Sequence, residues 1–162
     1  MIAADVQILI VEDNVDDAEL ALHALRRENL ANAVEIARDG EEALDFMFCR
    51  GRFAHRTFAS QPRLVLLDLK LPKVNGLEVL KALKTDPRTS AVPVVILTTS
   101  QEDRDMVSGY GLGANAYIQK PVDFDQFRKM VRSIGLFWLV TNQPPPPSPN
   151  FARLSADTGA VK

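Results

Sequence analysis

Short apolar runs alternate with amphipathic segments along most of the chain. Five runs have the length and composition of β-strands, and they span Gln7 to Val11, Val34 to Ala37, Leu64 to Leu67, Val94 to Leu97, and Ala116 to Ile118. Because nearly every position in these runs is apolar, both faces of each strand are expected to be buried, as in a parallel sheet with helices on both sides. The alternation predicts an α/β fold.

The segments between the strands carry apolar residues at helical spacing, and helix-capping residues stand at their starts. A helix is predicted directly after Asn14. Asp39 and Glu42 have the spacing of a capping box, which predicts the start of a second helix. The last helix is expected to begin near Asp123 and to run to about Val140. The pattern contains five such units of strand and helix.

Residues 142–162 lack this pattern. They contain the run Pro144 to Pro147 and few residues that could join a core, so they are predicted to form a flexible, proline-rich tail. Residues 1–141 have the size of one domain, since domains commonly contain roughly 100 to 150 residues. One folded domain followed by a tail is therefore expected.

Composition and charge narrow the classes of function. The 19 basic and 21 acidic residues give a formal net charge of -2, without the overall basic charge typical of nucleic-acid binding. Cys49 is the only cysteine, which excludes an intramolecular disulfide and agrees with a reducing cytoplasm. No apolar run approaches the roughly 20 residues that span a bilayer. The expectation is a cytoplasmic protein that binds neither nucleic acid nor membranes.

Polar side chains follow four of the predicted strands, at the point where each strand ends. Glu12 and Asp13 follow the first strand, Asp68 the third, Thr98 the fourth, and Lys120 comes just after the fifth. Because the carboxyl ends of neighbouring parallel strands share one edge of a sheet, these side chains are expected to lie close together.

Carboxylates, a hydroxyl and an ammonium group suit a divalent cation and a phosphoryl group. Mg²⁺ is usually held by one or two carboxylates together with carbonyls and waters, so Asp13, Asp68 and a water-linked Glu12 form a candidate open site. Asp68 could attack phosphorus and form an acyl phosphate. Lys120 would pair with one phosphoryl oxygen, and Thr98 would donate a hydrogen bond to another.

Each of these side chains also has a purely structural interpretation. Asp68 alone could cap the following turn, and Glu12 with Asp13 could favour a helix N-terminus through the helix dipole. Lys120 alone could be a surface lysine. The functional interpretation is preferred because all of these residues stand together at predicted strand ends.

The order of these motifs resembles the receiver domains of two-component response regulators. The matching segments are Val11-Glu12-Asp13-Asn14, Leu66-Leu67-Asp68-Leu69 with Pro72 and Gly76, Leu97-Thr98-Thr99, and Tyr117-Ile118-Gln119-Lys120-Pro121. The resemblance extends from Ile8 to about Val140. It implies a flavodoxin-like, doubly wound sheet of five parallel strands in the order 2-1-3-4-5, with five helices.

The resemblance also implies which residues accept the phosphoryl group and bind metal. Asp68 would be the phosphorylation site, taking the group from a sensor histidine kinase. Glu12 and Asp13 would be the acidic metal pair, and Lys70 would add its backbone carbonyl as a ligand for Mg²⁺ or Mn²⁺. The protein would then be a phosphoacceptor in signalling, with weak self-phosphotransfer and autodephosphorylation chemistry and no separate enzymatic activity.

A conformational switch is implied as well. Thr98 would be its hydroxyl and Tyr117 its rotating aromatic ring, although a half-buried tyrosine in a strand is also common for structural reasons. Lys120 would sense the phosphoryl group, and the bond from Lys120 to Pro121 would be cis. Thr99, beside the phosphoryl site, stands where many receivers carry a smaller residue, so it could narrow access to Asp68.

Three features are similar to a narrower group, the single-domain response regulators that partner phytochrome histidine kinases. The segment between the second helix and the third strand, interpreted as a helix extension plus loop, is longer than in chemotaxis-type receivers and ends near Gln61. Leu97-Thr98-Thr99-Ser100 and Phe137-Trp138-Leu139 are also similar. These features predict a phytochrome-type kinase as the partner.

The last helix carries more apolar residues than one face requires. Those expected to dock on the sheet are Phe124, Phe127, Val131, Ile134 and Trp138. Those left on other faces are Met130, Leu136, Phe137 and Leu139. Because a second apolar stripe on a surface helix commonly marks an interface, they predict a homodimer.

Two other classes of protein remain as alternatives. A haloacid-dehalogenase-like phosphohydrolase also forms an aspartyl phosphate, but it would carry a second acid two residues after the nucleophile. Asp68-Leu69-Lys70 lacks that acid. A constitutive interaction module would need neither Asp68 nor Lys120.

Overall fold

The protein is described by a computed structural model that covers residues 6–29, 33–99 and 103–144. The strands are β1 (Ile8–Val11), β2 (Val34–Ala37), β3 (Leu64–Leu67), β4 (Val94–Thr98) and β5 (Ala116–Gln119). The helices are α1 (Val15–Arg27), α2 (Gly40–Met47), α3 (Gly76–Thr85), α4 (Asp103–Gly111) and α5 (Phe124–Leu136). Most of the predicted tail, from residue 145 onward, lies outside the described residues.

The five strands form one parallel sheet in the order β2-β1-β3-β4-β5. This confirms the predicted doubly wound architecture and its strand order. The predicted strand limits agree with the structure to within one residue at each end. β1 pairs with both β2 and β3, and its last residue, Val11, lies in register with Ala37 and Leu67. The ends of the central strands are therefore level at one edge of the sheet.

Helices cover both faces of the sheet, so alternate strand residues enter two separate core clusters. One cluster packs α2 and α3 against one face, with Phe46, Met47, Val79, Leu80 and Leu83 among its members. The other packs α1 and α5 against the opposite face, with Ala21, Leu25, Phe127, Val131 and Ile134. Burial of both faces explains why the central strands β1, β3 and β4 are continuous apolar runs up to Thr98.

Capping side chains fix where the helices begin. The Asn14 side chain accepts a hydrogen bond from Asp17 N at 3.0 Å, and the Asp39 side chain accepts one from Glu42 N at 2.8 Å. Asp123 caps α5 in the same way. Each cap stabilises its helix by about 1 kcal/mol. Because Asn14 follows Glu12 and Asp13 directly, its cap starts α1 at the edge of the sheet where β1 ends.

The segment between α2 and β3 is not a helix extension, which corrects the sequence-based expectation. α2 ends at Met47, and the segment contains two short 3-10 turns, Gly51–Phe53 and Phe58–Ser60. The Arg56 guanidinium lies 3.5 Å from the centre of the Phe46 ring and also donates to Ser60 O at 2.9 Å. Stacking on a neighbouring aromatic ring and bonding to the backbone stabilise this compact path.

The N-terminal end of α5 differs from the prediction in one residue of the docking face. Phe127, Val131 and Ile134 are buried as expected, but Phe124 is 70% exposed. Phe124 is the first residue of α5 and projects beyond the core. After Leu136 the chain continues as a π-helical turn, Phe137–Thr141.

No helix among the described residues combines the length and the apolar character that crossing a bilayer requires.

Candidate functional site

The sheet brings the predicted polar residues to one edge. Val11 and Leu67 are in register, so Glu12 and Asp68 leave neighbouring strands side by side. Asp68 N donates to Val11 O at 3.0 Å. On the other side of β3, Thr98 is the last residue of β4 and lies in register with Gln119, the last residue of β5. Lys120 follows Gln119 directly. The expected convergence of the strand ends is confirmed.

Three carboxylates form a cluster that could hold a metal ion. Glu12, Asp13 and Asp68 each offer an oxygen, and these oxygens lie within 4.8 Å of one another. Glu12 and Asp68 are buried, whereas Asp13 is exposed and opens the cluster to solvent. Within the described structure, Glu12 Oε2 is buried and has no hydrogen-bond partner. Such an oxygen, with two other carboxylates nearby, fits a hard divalent cation.

Lys120 lies against this cluster. Its Nζ is 3.1 Å from Asp68 Oδ2 and also donates to the Glu12 carboxylate. A third carboxylate, Asp17 Oδ2, lies 3.0 Å away on the first turn of α1. As an acid in the first turn of α1, Asp17 occupies a position that the helix dipole favours. Its reach toward Lys120 depends on how α1 sits against the sheet, so the pattern of strand ends did not single it out.

Burial and close contacts shift the pKa values of the central groups in different directions. Burial, helped by the adjacent Asp68 carboxylate, raises the pKa of Glu12 to about 9. Burial alone would raise the pKa of Asp68, but its contacts with Glu12, Lys120 and Lys70 N outweigh burial and hold it below the ordinary value. Asp68 is thus kept ionised, the form in which a carboxylate acts as a nucleophile.

The pKa of Lys120 is raised in spite of its burial, because the Glu12, Asp68 and Asp17 carboxylates stabilise the cation. The side chain is only 7% exposed. A buried ammonium group with carboxylate partners keeps its charge and presents a compact cation next to the Asp68 oxygen.

The loop after Asp68 packs closely around the backbone of that residue. Lys70 N donates to Asp68 Oδ1 at 3.3 Å, and Gly76 N donates to Leu69 O at 2.9 Å. Lys70 thus lies beside the Asp68 carboxylate, while the metal-ligand role of its backbone carbonyl stays a prediction. The contacts fix the direction in which the Asp68 side chain enters the site.

The predicted switch residues lie on adjacent strands. Thr98 is fully buried, and Thr99, one residue later, is exposed at the site edge. Tyr117 is half-buried on β5, in register with Ile96, and packs against the core cluster on the side of α2 and α3. Their roles in a switch and in phosphoryl binding stay predictions.

The bond between Lys120 and Pro121 is trans, since no described peptide bond is cis. This corrects the cis expectation taken from the family. For a bond to proline the two forms differ by only about 0.5 to 1 kcal/mol, so local context decides between them.

Comparison with known proteins agrees with this geometry. The family model of the response regulator receiver domain matches residues 8–132. The probable methanogenesis regulatory protein FilR2 of Methanothrix harundinacea is 42% identical over 141 residues, which cover 87% of this chain and 88% of the relative. The response regulator Rcp1 of Synechocystis is 38% identical over 134 residues, which cover 83% of this chain and 89% of the relative.

Solved structures show the same fold. The Mn²⁺-bound form of Rcp1 has a TM-score of 0.80 at 37% identity, covering 88% of this chain and 100% of that chain. The phosphorylated cyanobacterial phytochrome response regulator RcpA has a TM-score of 0.81 at 40% identity, with the same coverage of 88% and 100%. The fold and the sequence therefore both match response regulator receiver domains, and the acidic edge of the sheet is consistent with that match.

Proposed function

The chain belongs to the response regulator receiver domain family, and we propose that Asp68 accepts a phosphoryl group from a phosphohistidine of a sensor histidine kinase. One observation carries the proposal: the ionised Asp68 carboxylate lies 3.1 Å from the Lys120 ammonium and within the Glu12 and Asp13 cluster. The phosphohydrolase alternative has no support in the family match, which is to a receiver domain.

In the proposed transfer, an Asp68 oxygen attacks phosphorus while the bond from phosphorus to the histidine nitrogen breaks. The imidazole leaves with the electron pair. Lys120 pairs with a phosphoryl oxygen and offsets its charge, and the Thr98 hydroxyl, with Thr99 beside it, contacts the other oxygens. Glu12, Asp13, Asp68 and the Lys70 carbonyl would hold Mg²⁺ or Mn²⁺, which supplies further charge compensation.

The group is lost by hydrolysis. A water molecule attacks phosphorus, the bond from phosphorus to the Asp68 oxygen breaks, and inorganic phosphate leaves while the carboxylate is regenerated. The chain's own chemistry is limited to this slow hydrolysis and to phosphotransfer from small donors. Signalling then depends on how long the phosphorylated form lasts.

The proposed signal is a change of conformation on the side of α4. If the phosphoryl group draws the Thr98 hydroxyl toward it, the space beside Tyr117 on the next strand changes. The Tyr117 ring lies close to α4, because a Cβ added at Gly109 would be 3.4 Å from its Cδ2 atom. Val107 of α4 is 72% exposed. Phosphorylation would thus bias an existing equilibrium between two conformations that differ in the exposed surface of α4.

We infer a phytochrome-type histidine kinase as the partner, acting in the cytoplasm. RcpA is described as a phytochrome response regulator, and it is 40% identical to this chain. The longer segment between α2 and β3 is a further point of similarity, as noted from the sequence. In this proposal residues 1–141 are the receiver unit, and residues 142–162 are a flexible tail.

Incubation with acetyl phosphate and Mg²⁺, followed by intact mass measurement, tests the proposed acceptor. The wild-type protein should gain one phosphoryl group, whereas Asp68→Asn and an EDTA-treated sample should gain none. Asp16→Asn is a matched control, because Asp16 is an exposed acid outside the cluster. Phosphorylation of Asp68→Asn to the wild-type level would contradict the assignment.

We also propose that two copies pair through the end of α5 and the turn after it. Phe137 is 49% exposed and Val140 is 66% exposed, and neighbouring exposed apolar side chains favour an interface. Met130 and Leu139, which the sequence assigned to this interface, pack partly on the core of their own chain. Leu136 is half-buried. Phe137 therefore carries most of the accessible apolar surface in the predicted set.

Sedimentation tests the dimer. Combined Phe137→Ala and Leu139→Ala substitutions should give a monomer, while Val107→Ala on α4 should leave the wild-type assembly unchanged. A wild-type protein that is already monomeric at micromolar concentration would contradict the proposal.

A further inference from the structure

Lys120 contacts a carboxylate, that of Asp17, which has no role in the proposed phosphoryl transfer. An ammonium group has three N–H donors, and Lys120 Nζ contacts three carboxylates, those of Glu12, Asp17 and Asp68. Glu12 and Asp68 belong to the acidic cluster. Asp17 does not belong to the cluster, and it enters from α1 rather than from a strand end.

The position of Asp17 is fixed by the helix that carries it. Its backbone N donates to the Asn14 side chain at 3.0 Å, so it belongs to the capped first turn of α1. The following residues Ala18 and Ala21 are buried against the sheet. Among the described residues, Lys120 is the partner of the Asp17 carboxylate. The anchored helix thus holds one carboxylate at a constant place beside the ammonium group.

A metal ion bound by Glu12, Asp13 and Asp68 would not offset the charge of Asp17, because Asp17 is outside that group of oxygens, and Lys120 would remain its partner. When a phosphoryl group is attached to Asp68, Asp17 and the phosphoryl oxygens are both anionic acceptors for the same ammonium group. Charge-assisted hydrogen bonds are about twice as strong as neutral ones. A hydrogen bond from Lys120 to Asp17 therefore weakens the hydrogen bond that Lys120 can donate to the phosphoryl group.

We propose that Asp17 is a positioning residue: it acts as a competing counter-ion that draws Lys120 toward α1 and so limits how tightly the site binds a phosphoryl group. The inference rests on the proposed function, since it concerns the same site. Neutralising Asp17 should make a larger share of the Lys120 charge available to the phosphoryl group and should also lessen the repulsion of an anionic phosphodonor.

The direct test is the affinity for beryllofluoride, a non-covalent analogue of the phosphoryl group, measured by calorimetry with Mg²⁺ present. Asp17→Asn should bind it about three- to tenfold more tightly than the wild type. Phosphorylation by acetyl phosphate should rise by a similar factor. In that reaction an Asp68 oxygen bonds to phosphorus, and acetate leaves with the electron pair of the broken bond.

Two further variants separate the contact from other effects. Asp16→Asn removes the same charge from the same helical turn, but Asp16 is exposed and has no described contact with Lys120. It should change the affinity by less than about twofold. Asp17→Glu restores the carboxylate and should return the affinity toward the wild-type value, which a change in folding alone would not do. Urea unfolding of each variant checks that the fold is intact.

The inference is overturned if Asp17→Asn binds beryllofluoride no more tightly than the wild type, or if Asp16→Asn has the same effect as Asp17→Asn. Weaker binding by Asp17→Asn would overturn it too, since Asp17 would then hold Lys120 in its productive position. A wild-type protein that neither binds beryllofluoride nor gains a phosphoryl group would instead remove the proposed function itself.

Discussion

Single residues decide how closely the loop after Asp68 can pack. A Cβ atom added at Gly76 would lie 2.3 Å from Asp68 O and 2.5 Å from the Cα atom of Leu69. One added at Gly40, at the start of α2, would lie 1.9 Å from Val74 O. Both contacts involve backbone, which cannot rotate away as a flexible side chain can. Glycine at these two positions is therefore required by the close approach of the loop.

Gly76→Ala should displace the backbone of Asp68, the proposed acceptor residue. We expect the free energy of unfolding to fall by about 1 to 3 kcal/mol, as in other overpacked sites, and the phosphorylation of Asp68 to slow. Gly111→Ala is the control, because a Cβ there meets nothing within 4 Å. Urea unfolding and intact mass measure the two effects. Equal stability of the two variants would contradict the packing argument.

The ion pair after α3 gives a pH dependence. The hydrogen bond from the Arg88 side chain holds the pKa of Asp86 below its ordinary value, with distances of 2.9 and 3.1 Å between the groups. A carboxyl group with a lowered folded-state pKa stabilises the fold above its unfolded-state pKa of about 4, and this contribution disappears as the pH falls through the folded-state pKa.

Asp86→Asn should therefore be less stable than the wild type at pH 7, by about 0.5 to 1 kcal/mol after allowance for solvent screening. The difference should shrink as the pH is lowered from about 5 to 3. Urea unfolding at several pH values measures it. A difference that stays constant over this range would show that the ion pair is not its source.

At the scale of whole elements, strands and caps were predictable because their signals are local. A strand buried on both faces is a continuous apolar run, so the limits of β3 could be taken directly from the sequence. The caps of Asn14, Asp39 and Asp123 depend on a hydrogen bond to a residue three positions later. Neither signal requires knowledge of the tertiary structure.

Other features at this scale depend on tertiary contacts and were predicted wrongly or incompletely. Helical spacing placed Phe124 with Phe127 on the docking face, but Phe124 is the first residue of α5 and is 70% exposed. The segment after α2 was interpreted as a helix extension plus loop, and the helix extension is wrong, because Arg56 stacks on the Phe46 ring and stabilises a different path. The helical spacing of apolar residues does not indicate how far a helix end lies from the sheet.

Lys84 connects three elements at the edge of the sheet opposite to Asp68. Its Nζ donates to Ser90 O at 3.1 Å and Val92 O at 2.7 Å, which precede β4, and to the Asn115 side chain at 3.1 Å, which precedes β5. Burial lowers the pKa of Lys84, so desolvation offsets part of the gain from these bonds. The network still satisfies three oxygen acceptors that no apolar side chain could satisfy.

Lys84→Met should reduce the free energy of unfolding by about 1 to 3 kcal/mol, because it leaves these acceptors without their donor. Lys81→Met, on an exposed position of the same helix, should change it by less than about 0.5 kcal/mol. Chemical denaturation gives both values. Phosphorylation of Asp68 in the Lys84 variant should remain near the wild-type rate, and a large loss would indicate that the two edges of the sheet are coupled.

At the scale of the whole molecule, the fold joins residues that are far apart in sequence. Glu12 and Lys120 are 108 positions apart and are in contact. This meeting was predictable because parallel strands deliver their ends to one edge, and each end carried a polar residue. Asp17 was missed because it approaches from a helix, and the angle between α1 and β1 cannot be obtained from the pattern of apolar residues.

The same convergence predicts that a bound cation stabilises the molecule. Glu12, Asp13 and Asp68 offer oxygens within 4.8 Å of one another, so their ionised forms repel one another. Burial and the neighbouring Asp68 carboxylate already raise the pKa of Glu12 to about 9. A cation that binds the folded state alone adds stability according to its concentration. At ten times its dissociation constant the gain is about 1.4 kcal/mol.

Asp13→Asn should separate the repulsion within the acidic cluster from the stabilisation by a bound metal ion. In EDTA it should be more stable than the wild type, because one repelling charge has been removed from the cluster. With Mg²⁺ at a concentration that stabilises the wild type by about 1.4 kcal/mol, it should gain much less, since a ligand is missing. Asp16→Asn, which leaves the cluster intact, should follow the wild type under both conditions. Urea unfolding with and without Mg²⁺ measures all three proteins, and an equal Mg²⁺ gain in Asp13→Asn and the wild type would show that the ion binds elsewhere.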